Sequence, residues 1–520
     1  MEQPELRTLA RQVVDDPTLT YRQRMHRLAA LAENSLEPPP VSAGCAEALE
    51  KRLICDMYEG NAPYRPRYVL PDYATLLRRG SAYLELAAPT DLDEALTTLL
   101  IAYTQVPSIT GYPVWLGDLD ALLEPFVDGV PDEELHRRLR LFWISLDRIL
   151  PDAFTHANLG PHDSRITRTV LRLERELLQV VPNLTLKVDP DLTPDDLVRD
   201  AVETVFACGK PHFVNHPLMV RDLGTSYGVA SCYNSLPAGG GSHTLVRLNL
   251  AEVATRHRGT RETFLEELLP YYVELTAELM ESRIRYLVEE ARFFEHSWLV
   301  ADGLLDLDRY AAMFGVYGLA EAVALVLEHE GSPGLRYGHD PEADQLAHEF
   351  VQRVADLVAE RPMPYCEGNG GRALLHSQSG IDSDLGVTAG CRISVGDEPS
   401  LPDHLRTVTP NHDLFPAGIS DVLAFDETAR RNPDAVVDVI RGAFRTGMRD
   451  FTFNLDSNDF IRITGYLVRK SDLAKLDHGA RHDSTFLGAG SVAGSHVDKR
   501  APKRVAAQEL EHEVHAGPAR

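Results

Sequence analysis

The sequence predicts an α/β fold, with helices dominating the front of the chain and strands alternating with helices behind them. Three observations carry this expectation. Apolar residues recur at three- and four-residue spacing through most of the first 190 residues, as in SAGCAEALEKRLICDMYEG and PDEELHRRLRLFWISLDRIL. The stretch HTLVRLNL (243–250) alternates and is rich in β-branched and apolar residues, the pattern of a half-buried strand. Helical and strand-like textures then succeed one another in the second half, an order that favours α/β.

Taken in order, Thr193-Pro194-Asp195-Asp196 starts a helix: an N-cap, proline at the first helical position, then acids against the dipole. It should run to about Cys208, where Gly209-Lys210-Pro211 stops it. Residues 262–294 carry a long helical pattern, and 310–327 read as an apolar, Ala-rich buried helix. Residues 366–418 are rich in Gly, Ser, Asp and Pro with few periodic signals, and loops of that length are often functional. DFTFNLDSNDFIRITGYLV resumes a strand-like texture around one glycine, and the last twenty residues are charged and expected to fray. No repeat or linker is visible. A mainly helical part, 1–190, is therefore expected to pack on a core formed by 191–520 as one structural unit.

With 520 residues and 44% hydrophobic content the chain can bury a large core. A formal charge of −26 argues against a nucleic-acid polymer or an anionic membrane as partner, since both repel such a surface. The start, MEQPELRTLARQVVDD, lacks the apolar region of a secretory signal, and no apolar run approaches membrane-spanning length. Six scattered cysteines without C-x-x-C spacing speak against stapling disulfides and a four-cysteine zinc site. A cytoplasmic chain that binds no metal is expected. The G-x-S-x-G elbow, the phosphate-loop motif and H-E-x-x-H are all missing.

Three segments carry chemistry. In FIRITGYLVRKSDL, Gly465 lies between Thr464 and Tyr466; alone, it reads as a hairpin turn. In YGVASCYNSLPAGGGSHTLVRLNL, Cys232 precedes a Gly-rich turn and a strand; alone, it reads as a small buried thiol. ACGKPHFVNHPLM says little by itself. Together they resemble glycyl radical enzymes. Arg462, Ile463, Thr464, Gly465 and Tyr466 fill the C-terminal signature Arg-hydrophobic-x-Gly-Tyr, with the cysteine loop more than two hundred residues upstream. GKPHFVN is similar to the G-x-P-x-F-N stretch preceding the cysteine loop in that superfamily. DSNDFIRITGYLVRKSDLAKLDHGARHDSTFLGAGS, FGVYGLAEAV and the cysteine segment are similar to the YjjI-type branch, a resemblance that covers most of the chain.

That resemblance implies a ten-stranded α/β barrel of two five-stranded halves surrounded by helices. A cysteine loop (about 226–242) and a glycyl radical loop (about 455–475) would meet inside it. It further implies an organic radical stored on Gly465 and passed to Cys232, which as a thiyl abstracts hydrogen from a small-molecule substrate under anaerobic conditions. The activating partner would be a radical S-adenosylmethionine enzyme with an iron–sulfur cluster, since this chain has no cysteine pattern for one. The glycyl radical is the only cofactor implied, and a homodimer is compatible with this scheme.

The residue types suit the chemistry. A glycyl radical is stabilised by the flanking amide and carbonyl at a planar α-carbon, which a side chain would twist and crowd. A thiol S–H is close in strength to the hydrogens to be removed, so transfer is nearly reversible. The two centres must then approach within about 3.5–4 Å.

Departures from better-known branches narrow the reaction. Cys232 is followed by Tyr233 and not by a second cysteine, which disfavours the pyruvate formate-lyase reaction. Asn234 stands where the diol- and choline-type enzymes carry a base, Glu, and an amide cannot take the proton. A ribonucleotide-reductase-like reduction and a non-catalytic binding relative of the barrel remain as alternatives. The first lacks zinc-binding cysteine pairs before the radical glycine, and the second does not account for keeping both Gly465 and Cys232. Nearness in sequence to the loops nominates Asn234, His243, Arg247, Asn249, Asn411 and His412 as substrate-binding candidates, and Cys391 as a second thiol.

Overall fold

The computed structural model describes residues 3–56, 60–152, 154–377, 386–463, 465–495 and 497–505. In chain order its strands begin with β1 (Ile54–Cys55), β2 (Tyr68–Leu70), β3 (His156–Leu159) and β4 (Asn183–Val188). Next come β5 (His212–Asn215), β6 (Tyr227–Ala230), β7 (Asn234–Pro237) and β8 (Gly240–Asn249). Then follow β9 (Tyr310–Tyr317), β10 (Leu374–Ser377), β11 (Asp421–Phe425) and β12 (Asp450–Leu455). The series ends with β13 (Phe460–Arg462) and β14 (Leu467–Arg469).

Ten of these strands form two five-stranded sheets. In the first, β8, β9 and β10 run parallel, and β1 and β2 both pair antiparallel with β8. In the second, β3–β4–β5 and β11–β12 are parallel runs that meet antiparallel at β5–β12. Both sheets are therefore mixed. One edge joins them: β10 exchanges backbone bonds with the chain just before β11, Ala417 to Leu375 at 3.3 Å and Ser377 to Gly418 at 3.1 Å. The remaining four strands form two hairpins, β6–β7 and β13–β14.

The Asp195–Cys208 helix lies where its end signals put it, closed by Gly209 in the left-handed conformation. Its N-cap is Pro194 and carries no side-chain bond, so Thr193 does not cap it. Strand β8 forms as expected but is buried along its whole length. The Leu269–Arg285 helix packs on it and β7 contacts it, and no residue of the strand is exposed to water.

Residues 310–327 correct the sequence reading. They hold β9, then Gly318 at φ +77°, then the Leu319–His329 helix. YAAMFGVY is buried on both faces, so it lacks the alternation that would separate a strand from a helix. The first 190 residues differ likewise: they contribute β1–β4, two strands to each sheet, and no boundary at 190 separates helices from sheets. Residues 262–290 are helical, with π turns at Phe264–Leu268 and Tyr286–Glu290; Arg292 at φ 52° then ends the run before the short Phe293–His296 helix. Within 366–418 lie β10 and the Leu401–His412 helix. Of the expected frayed end, 506–520 lie outside the described residues. Lys503 is anchored, its amide on Ala424 at 2.7 Å and its carbonyl on Asp426 at 3.1 Å.

Candidate active site

Two hairpin tips meet inside the molecule. The first turns between β6 and β7 at Ser231-Cys232-Tyr233, and the second between β13 and β14 through Gly465. Thr464, in the second tip, lies outside the described residues. Cys232 is 4% exposed and Gly465 is buried. A Cβ at 465 would overlap the Cα of Cys232 and stand 2.7 Å from both its carbonyl carbon and its Cβ. Gly465 is not among the glycines with positive φ, so its turn does not demand glycine; the contact does. Both neighbours of Cys232 take the strained conformation instead, Ser231 at φ 52° and Tyr233 at φ 65°. Non-glycine residues there cost about 1–3 kcal/mol each and persist only where the surroundings hold them.

Those surroundings are polar side chains on strands of the second sheet. Asn158 of β3 grips Val229 of β6 in both directions, donating to its carbonyl and accepting from its amide at 2.8 Å each, and also accepts from the Trp115 indole at 2.9 Å. His156 donates through Nδ1 to Ser231's carbonyl at 3.0 Å and shares a 2.7 Å bond through Nε2 with the Thr185 hydroxyl, and Lys187 of β4 donates to Tyr227's carbonyl at 3.0 Å. The Tyr233 ring stacks on His212 at 3.5 Å between centroids. From the other hairpin, the Arg462 guanidinium lies over the Tyr233 ring at 5.4 Å.

The glycine tip is held by the same device. Asn183 of β4 donates to the Gly465 carbonyl and accepts from Arg462 Nη1 at 3.0 Å. Arg462 also donates through Nε to Gly209's carbonyl at 3.1 Å. Arg500 binds the carbonyls of Arg462 (3.0 Å) and Ile463 (3.3 Å). Tyr466 packs edge-on against Phe154 and shares a 3.3 Å bond with Ser491. This explains the GKPHFVN segment. Gly209 ends a helix with its carbonyl facing Arg462, and His212 supports the ring next to the cysteine.

Cys232 also borders a cavity of about 840 Å³. Its wall includes His26, Arg65, Arg67, Tyr68, Asp152 and Asp483. The β8 bulge at residues 243–244 positions part of it, because the His243 carbonyl accepts the Arg67 amide at 3.0 Å. Asp152 is buried and its carboxyl is pushed up to about 7, chiefly by burial and then by the neighbouring charge of Asp483. Burial also lowers His26, keeping its ring toward the neutral form.

The six candidates nominated by nearness in sequence do not line this cavity. Asn234 donates to Ala230 across its own hairpin at 3.1 Å. His243 bonds the Tyr365 carbonyl at 2.7 Å and packs against Phe294 and Tyr310. Arg247 lies over Tyr317, and Asn249 caps the Leu250–Arg256 helix. Asn411 bridges His348 and Tyr337, and His412 accepts the Arg449 amide at 3.0 Å. Cys391 is buried outside the cavity wall with its thiol pushed up to about 12 by burial. For the four on strands the reason is geometric: adjacent strand residues point to opposite faces, so nearness in sequence to Cys232 does not select the face it occupies; Asn411 and His412 end the Leu401–His412 helix and bond elsewhere.

Asn158, Asn183, His156, Lys187 and Asp152 were missed. A signal existed for most of them. His156 and Asn158 alternate along HANL, as Asn183, Thr185 and Lys187 do along NLTLKV, and every residue of both strands is buried. Such a polar face inside a sheet needs partners, and here the hairpins are the partners. Asp152, in a connection before β3, left no comparable trace.

Two mixed sheets around a cysteine hairpin and a glycine hairpin in contact define the class of glycyl radical enzymes. The chain belongs to the YjjI-like family of these enzymes: the family model described as "Glycyl radical enzyme YjjI-like" matches residues 19–503. The protein YjjI of Escherichia coli (strain K12) is 47% identical over 500 residues, 96% of each chain. A protein of Haemophilus influenzae is 40% identical over 490 residues, 93% of this chain and 95% of that one. Among solved structures, hydroxyproline dehydratase from Clostridioides difficile superposes with a TM-score of 0.68 at 12% identity, covering 96% of this chain and 88% of its own. The B12-independent glycerol dehydratase of Clostridium butyricum gives 0.64 at 11%, covering 94% and 85%. The anaerobic ribonucleotide reductase of Thermotoga maritima with dATP bound gives 0.65 at 13%, covering 90% of each. At these identities the likeness is one of fold.

Proposed function

We propose that Gly465 stores an unpaired electron and that Cys232, converted to a thiyl, removes a hydrogen atom from a small molecule held in the 840 Å³ cavity. The observation that carries this reading is the contact between the two tips, which leaves no room for a Cβ at 465. Hydrogen transfer over such a gap is a matter of held geometry, and two multiply bonded hairpins, the cysteine one strained, supply it. Thr464 belongs to the same radical-loop motif, beside Arg462 and Tyr466. Burial of both tips limits water at the radical, and the reactivity of a carbon-centred radical with oxygen fits anaerobic work in the cytoplasm.

In this scheme the two sheets close as one ten-stranded barrel around the hairpins. A separate radical S-adenosylmethionine enzyme with an iron–sulfur cluster removes hydrogen from Gly465, and for that the glycine hairpin must become accessible. A formate-lyase-type acyl transfer is disfavoured by Tyr233 following Cys232, and a Glu-dependent dehydration by Asn234.

Anaerobic incubation with such an activase should give a doublet electron spin resonance signal that Gly465→Ala abolishes. Air should then cut the chain at 465 into a large and a small fragment. Cys232→Ser should keep the doublet without turnover. A wild-type protein that stays spectroscopically silent and intact in air would end the reading.

A further inference from the structure

Two guanidiniums lie buried beside the glycine hairpin, and among the described residues neither pairs with a carboxylate. Arg462 is fully buried and Arg500 is 6% exposed. Glu174, whose charge reaches Arg462, pairs with Lys210 at 2.7 Å. Of the acids whose charge reaches Arg500, Glu398 accepts the Ala501 amide at 3.0 Å and Asp421 pairs with His404 at 3.2 Å. Burying a cation this way is costly, and it pushes Arg500 down to about 10, yet both guanidiniums stay charged at neutral pH.

What they hold is backbone oxygen. Arg500 donates to the carbonyls of Arg462 and Ile463 at 3.0 and 3.3 Å. Arg462 reaches the Gly465 carbonyl through Asn183: its Nη1 donates to Asn183 Oδ1 at 3.0 Å, and Asn183 Nδ2 donates to that carbonyl. The side-chain amide has one orientation here. Its Oδ1 also accepts the Leu184 amide at 3.0 Å, so a flipped NH2 group would face two donors.

We propose that Asn183, polarised by Arg462, is a further residue of the radical chemistry, stabilising the Gly465 radical by a hydrogen bond to the glycine carbonyl. This rests on the radical reading above and deepens it. The step it biases is one hydrogen exchange. The Gly465 Cα–H and Cys232 S–H bonds trade one hydrogen atom and one unpaired electron, and no net charge passes between the residues. In the glycyl radical the amide nitrogen donates and the carbonyl withdraws, which gathers negative charge on the carbonyl oxygen. The parent glycine gathers less, so a donor at that oxygen favours the radical over the parent. The adjacent guanidinium makes the donor a stronger one. Losing that bond should shift the exchange toward the thiyl by about tenfold.

Electron spin resonance of the anaerobically activated full chain tests this. Wild type carrying isotopically labelled nitrogen in its asparagine side chains should show that nitrogen coupled to the glycyl radical in spin-echo modulation. Asn183→Asp keeps the shape and the Oδ1 bonds to Arg462 and Leu184 but replaces the donor by an acceptor. With labelled glycine carbonyl carbon, this variant should show a shifted carbonyl coupling and a doublet yield per chain about tenfold below wild type. A residue that only clamps the hairpin would change urea stability and leave the carbonyl coupling where it was. The wild-type nitrogen coupling covers the case in which the variant folds poorly. A wild-type radical without that coupling, or an Asn183→Asp radical with unchanged carbonyl coupling or unchanged yield, overturns the proposal. If the wild-type doublet forms while these tests fail, only the role of Asn183 falls; if no doublet forms, the radical reading falls and this proposal with it.

Discussion

An alanine at 465 would press its Cβ into the backbone of Cys232, 2.7 Å from the carbonyl carbon. No side-chain rotation relieves a contact with backbone, so one hairpin must move. The neighbours of Cys232 already hold positive φ, which leaves that loop little slack. Gly465→Ala should therefore destabilise the protein before any radical is made, by about 1–3 kcal/mol, the range for overpacking a filled core. Urea unfolding of the unactivated variant measures it. Unchanged stability would mean that the two tips are not in contact in solution. At this same scale Gly465 and Cys232 were legible in the sequence because each sits in a recognisable motif, whereas Asp152 belongs to no motif and is identified only by its burial and its place in the cavity wall.

At the scale of elements, the site is a pair of hairpins clamped by side chains from neighbouring strands. Asn158 is the clearest clamp, since one amide satisfies both backbone groups of Val229 and the Trp115 indole. Asn158→Ala would leave three buried polar groups without that partner, at about 1–3 kcal/mol for each left unsatisfied. A loss of about 3 kcal/mol in urea unfolding is expected, with a folded protein whose Cys232 reacts faster with alkylating reagents as its hairpin loosens. A loss below about 1 kcal/mol would show that the hairpin holds itself. Strand signals in the sequence were strong for β8 and for the region of β12 to β14. They failed at β9, where full burial erases alternation, and at β3 and β4, where helical patterns on either side mask short strands. Had the alternating Asn183, Thr185 and Lys187 been read as an inward polar face, the clamps would have been predictable too.

Across the whole molecule, the buried histidines set the response to acid. Burial is the main cause holding His212, His243 and His412 at about 4 and His482 at about 3, all below the ordinary 6.5. A histidine whose folded value is depressed contributes stability that is complete above 6.5 and is lost as pH falls toward the folded value. Between pH 7 and pH 5 each of these groups removes about 2 kcal/mol. Asp152, raised to about 7, and Asp120, raised to about 6, work in the opposite direction, as do Glu174 and Asp483, which burial also raises: each contributes stability that is complete below the ordinary carboxyl value and lost as pH rises through the folded value. His156, which burial also lowers, joins the four histidines, and together they outweigh the raised carboxyls, so the urea midpoint should drop from pH 7 to pH 5. Surface repulsion, from a formal charge of −26, relaxes over the same interval and pulls the other way. Salt separates the two effects, because it screens surface charges while leaving buried groups nearly untouched. In 1 M salt the acid loss should persist and become steeper; its disappearance there would place these imidazoles in contact with water and open the interior in which the hairpins meet.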